Sequence, residues 1–161
     1  MRCESININD FVQKLARKSE QKVLISINER LTKMGYKPNA KHKGMGFDIK
    51  YNIKSRKPIV QILYKKNKDS GFEIHLRPLN VSQYSKYFSE LSENIRNCCL
   101  KGKDCTKCGY CDKAYVYEFE GKNYVKCQFI CYNFCFINIE IQDIKPIINI
   151  LDMELKQIHD K

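Results

Sequence analysis

Apolar residues in the first third of the chain recur every three or four positions, the period of a helix that buries one face. Phe11, Val12 and Leu15 follow Asn9 or Asp10, either of which can cap a helix. The stripe breaks at Lys18-Ser19-Glu20-Gln21-Lys22 and resumes as Val23, Leu24, Ile27, Leu31 and Met34. Either one long helix bends there or Ser19 caps a second one. Gly35 supplies a helix stop, and Pro38 prevents continuation.

The period then changes to two. Phe47, Ile49, Tyr51 and Ile53 alternate with polar residues, which predicts a half-buried strand. A turn at residues 54–58 leads to a more fully apolar strand over Ile59–Lys66. After a second turn, Phe72, Ile74 and Leu76 form a third strand, with Glu73, His75 and Arg77 on its other face and Pro78 at its end. Ser82 is positioned to cap a helix burying Tyr84, Tyr87, Phe88, Leu91 and Ile95. Past residue 113 the order repeats. Tyr115, Tyr117 and Phe119 alternate, Glu120-Gly121-Lys122-Asn123 turns, and Tyr124–Ile130 returns. Phe134–Ile141 forms a further strand, and Asp143 caps a last helix with Ile144, Ile147, Ile148, Leu151, Leu155 and Ile158 inward. Short connections favour antiparallel neighbours. The prediction is one α+β domain over residues 1–161, antiparallel sheet with helices on one face, in the order α-βββ-α, cysteine loop, βββ-α. Residues 1–35 form its helical N-terminal segment and residues 98–113 a cysteine-rich insertion.

That insertion changes the picture most. Cys98, Cys99, Cys105, Cys108 and Cys111 precede Cys127, Cys131 and Cys135, and Cys105-Thr-Lys-Cys108-Gly-Tyr-Cys111 holds two overlapping C-x-x-C units. Thiolates two residues apart can both reach one tetrahedral ion. The N-terminus has no apolar leader core, and no apolar run approaches the roughly 18 residues of a membrane helix. A reducing cytoplasm is expected, where clustered cysteines are more often metal ligands than disulfides. We expect a closed structural Zn²⁺ site of Cys105, Cys108, Cys111 and Cys127, with Cys98, Cys99 or Cys131 as alternates for the fourth ligand. Lys101, Lys103 and Lys107 would offset thiolate charge. Cys131 and Cys135 share parity with Cys127 and pack as small apolar residues between aromatics. An iron–sulfur cluster is the alternative cofactor, but the ferredoxin run continues with x₃-C-P and this one does not. Thiol catalysis finds no partner: His42, His75 and His159 are scattered, and His75 alternates outward. Gly44-Met45-Gly46 leads into a strand and is no phosphate loop.

The formal charge is +11. A nucleic-acid partner, contacted through Lys54, Arg56 and Lys57, is the alternative reading of that charge. It is not favoured, because the basic residues are spread along a chain rich in Lys, Ile and Asn. The partner expected instead is a small molecule or a protein, with no membrane, for a binding or interaction module rather than an enzyme.

The run Gly71-Phe72-Glu73-Ile74-His75-Leu76-Arg77, the tyrosine-rich helix, C-x-x-C-x-x-C and the hairpin from Tyr117 through Gly121 and Tyr124 to Cys127 resemble a group of small uncharacterised α+β proteins of clostridia and related Firmicutes. The resemblance covers roughly residues 35–158, with a more distant similarity to YdhG-type domains in element order. It implies a cytoplasmic single domain, carries no established activity, and leaves Cys131 and Cys135 outside the shared cysteines.

Overall fold

The computed structural model describes residues 7–52, 58–66, 71–78, 80–106, 114–127 and 134–159. Its N-terminal stripe divides into two helices, α1 (Asn9–Val12) and α2 (Lys18–Lys33). Neither expected cap is used. Asn7 Oδ1 accepts from the Asn9 amide, and Arg17 rather than Ser19 precedes α2. Gly35 ends α2 as expected, at φ +88°, with Gly35 N–H donating to Thr32 O and Tyr36 N–H to Leu31 O. That pair of bonds closes the orphan carbonyls of the last turn.

Pro38 does more than stop a helix. It opens β1 (Pro38–Lys43), which pairs antiparallel with β2 (Gly46–Asn52). As the first residue of an edge strand, proline lacks no ladder bond that matters. Gly44 turns the chain between the two at φ +55°. A Cβ on Gly46 would lie 1.8 Å from Tyr64 O, so only glycine fits there. β3 (Pro58–Tyr64) and β4 (Phe72–Leu76) follow, and β7 (Cys135–Ile137) completes a five-stranded sheet in the order β1-β2-β3-β4-β7. β5 (Tyr115–Phe119) and β6 (Lys122–Lys126) form a separate hairpin. The sheet therefore has one strand more before residue 98 than the periodicity predicts. The two halves are not repeats, because β7 pairs with β4 and not with the hairpin.

One sheet face is the core. The register aligns Ile49, Ile62, Ile74 and Phe136 in a row across β2, β3, β4 and β7, each at most 1% exposed. Val23, Leu24, Ile27 and Leu31 of α2 join them in one buried cluster with Ile147, Ile150, Leu151 and Leu155 of α4 (Ile144–His159). Tyr51 OH donates to Asn28 Oδ1 of α2 at 2.8 Å, fixing that helix over β2. Each such aliphatic side chain contributes about 1.5–3 kcal/mol on burial. The class is α+β, an antiparallel sheet with helices packed on one face. Among the described residues no helix is long and apolar enough to cross a membrane.

The expected helix over Tyr84–Ile95 is broken. Val81–Gln83 and Ser85–Glu90 are 3₁₀ turns, Leu91 is extended, and Ser92 caps α3 (Glu93–Leu100) by accepting from Ile95 N–H. Bulky aromatics decide this. Phe88 packs edge-on against Tyr84, Tyr117 and Phe134 and tilted on Phe119, a nest that a continuous α-helix would not present. Asp143 is a bond acceptor at the start of the last helical segment, but Glu140 is the capping residue. The buried Asp143 carboxylate accepts from the amides of both Glu140 and Ser92 at 3.1 Å, joining the start of α3 to the approach of α4.

Candidate metal centre

The cysteine segment starts on α3, which carries Cys98 and Cys99 on its last turn. Cys99 is fully buried, and its carbonyl accepts from Tyr117 OH at 2.6 Å. Burial, then the neighbouring Cys98, push its thiol well above the usual range. After α3 the chain runs antiparallel to β6. Cys105 N–H donates to Val125 O and Cys127 N–H to Lys103 O, both at 2.9 Å, around an Asp104–Lys126 bridge. Opposed residues in such a ladder share a face. Cys105 and Cys127 therefore lie diagonally on one face, and Asp104 and Lys126 on the other. Lys126 Nζ, nearly buried, locks the turn by donating to Gly102 O at 2.8 Å and Asp104 Oδ1 at 2.7 Å.

The structure thus brings Cys105 and Cys127 onto one ladder. Cys108, Cys111 and Cys131 lie outside the described residues, as do Lys54, Arg56 and Lys57. Among the described residues, neither Cys98 nor Cys99 joins Cys105 and Cys127 in a group of three ligand atoms within 4.8 Å of one another. Cys99 belongs to the buried core cluster, and Cys98 meets the backbone of Ile137 on β7.

One group that does meet that distance was missed by the sequence reading: Glu73, His75 and Cys135. Register builds it. His75 on β4 lies directly opposite Cys135 on β7, and Glu73 shares its face two residues earlier. His75 Nε2 is 3.0 Å from Glu73 Oε2 and 3.6 Å from Cys135 Sγ. His75 does alternate away from the core, but its side chain is only 11% exposed. The second sheet face is half-buried at this edge, so pointing away from the core does not leave His75 in solvent. Nor is Cys135 a small residue packed among aromatics, because its sulfur faces an imidazole and a carboxylate. Burial, the Glu73 charge and Cys98 push its thiol up to about 12. The signal that could have found the group was E-x-H on one strand face; its third member needed the β4–β7 pairing.

Among the described residues, Tyr51, Tyr84, Phe47, Phe72, Phe88, Phe134 and Phe136 are fully buried in the core. A groove of about 480 Å³ lies between α2 and α4, floored by Ile25, Ile144 and Ile148 with Lys22 and Lys145 beside them. Ser26, Ile141 and Asn149 complete its lining. Comparisons with protein-family models, curated proteins and solved structures give no match to this chain.

Proposed function

We propose that this protein is a cytoplasmic interaction module, not an enzyme, whose cysteine loop is held by a structural Zn²⁺ bound to Cys105, Cys108, Cys111 and Cys127. The observation that supports it is the ladder that sets Cys105 and Cys127 on one face beside two C-x-x-C units. A fourth ligand across a β-ladder from the first closes a four-cysteine site, and closed sites are structural. The groove between α2 and α4, apolar with lysines beside it, suits a protein segment with an apolar face and acidic flanks. The kinship with cysteine-cluster proteins of clostridia belongs to the same proposal.

Metal analysis of protein purified without oxygen tests it, read with a visible spectrum. Zinc, no brown colour and loss of one metal equivalent in Cys108→Ser are expected. Full metal retention in Cys108→Ser overturns the ligand set, and a charge-transfer spectrum from iron–sulfur ligation overturns the metal.

A further inference from the structure

We propose that Glu73, His75 and Cys135 form a second metal site, for a zinc-class divalent cation, independent of the cysteine loop. Three kinds of observation carry it. The first is geometry. Around a tetrahedral zinc, sulfur and nitrogen ligand atoms lie about 3.5 Å apart, and nitrogen and oxygen about 3.3 Å. The distances here are 3.6 Å for Cys135 Sγ to His75 Nε2 and 3.0 Å for Glu73 Oε2 to His75 Nε2. One imidazole nitrogen faces both other ligand atoms, as it does when all three turn toward a common point.

The second is the scaffold. All three residues stand on paired strands, and β4 is flanked on both sides by β3 and β7. Sites on strands hold their ligands more closely than sites on loops. Of the polar groups on that face, Gln61, opposite His75, donates to Asp48 at 2.9 Å, and Lys50 lies 3.8 Å from the same carboxylate.

The third is charge. A divalent cation with one carboxylate, one thiolate and a neutral imidazole sums to zero, and binding releases the thiol proton. The mixture of sulfur, nitrogen and oxygen selects a borderline metal over calcium or magnesium, which take oxygen alone.

The test loads the full-length protein with cadmium-113 and, separately, dialyses it against buffered Zn²⁺. A cadmium resonance in the mixed sulfur–nitrogen–oxygen range is expected beside any all-thiolate one. His75→Gln and Cys135→Ser should each remove it, lower affinity at that site more than about a hundredfold, and leave the Cys108-dependent equivalent in place. Absence of the mixed-ligand resonance from the unaltered protein overturns the proposal. So does an equal zinc content in the unaltered protein and both variants. Cys108→Ser keeps this resonance if the second site is real, so failure of the loop assignment and failure of this one are distinct results.

Discussion

Two regions of this molecule bring candidate metal ligands together in opposite ways. In the cysteine loop and its hairpin, the candidate ligands are neighbours in sequence, and a short ladder adds the last of them. At the edge of the main sheet, Glu73, His75 and Cys135 meet only because β7 crosses back to β4, with the histidine and the cysteine 60 positions apart. A local motif announces its chemistry before any fold is known. A register-built site stays silent until the strand order is known.

The contrast predicts different sensitivities. Chelation of zinc, or Cys108→Ser, should loosen the hairpin first and cost on the order of 5 kcal/mol, read by denaturant unfolding with a tyrosine signal. Phe88→Ala attacks the same region from its apolar side. It removes the ring that joins Tyr117, Phe119 and Phe134 to the core. The expected loss is about 3–5 kcal/mol. If chelation and Phe88→Ala are fully additive, metal and aromatic nest stabilise separate units and the hairpin is not one cooperative piece. In the main sheet, Gly46→Ala should cost about 1–3 kcal/mol by forcing β2 away from the Tyr64 carbonyl, with metal content unchanged.

The smallest effect is electrostatic. Burial alone would raise the Asp48 carboxyl, but hydrogen bonds from Lys43 and Gln61 and the charges of Lys50 and Lys43 outweigh it and hold it below the usual carboxylate range. A lowered folded-state value stabilises the protein above the ordinary carboxylate range, and the gain fades as pH falls through the folded value. Asp48→Asn should therefore cost about 1 kcal/mol at neutral pH and nothing in strong acid. Equal losses at both pH values would show that shape, not charge, is what Asp48 contributes.

Strong periodicity made α2, β2, β3, β4 and the β5–β6 hairpin legible, because each buries one regular face. β1 was illegible because an edge strand of Pro38, Asn39, Ala40, Lys41, His42 and Lys43 has almost nothing to bury. The 3₁₀ turns before α3 were hidden by apolar residues at helix-like spacing, whose break at Leu91 answers to packing. The nearness of Cys127 to the start of the cysteine loop was legible from the hairpin's return. His75 was not, because alternation says which face a residue takes and never how covered that face is.

The position of β7 also bears on how the chain is made. When β4 leaves the ribosome, its free edge must wait for residues about 60 positions later, some 3–12 s at ordinary synthesis rates. During that interval a strand carrying Phe72, Ile74 and Leu76 offers unpaired amides and carbonyls to any neighbour. The three-residue β7 is thus a late clasp on a nascent sheet. Chains that stop short of Cys135 keep the sticky edge, and nascent-chain crowding, more than heat, is the hazard this topology carries.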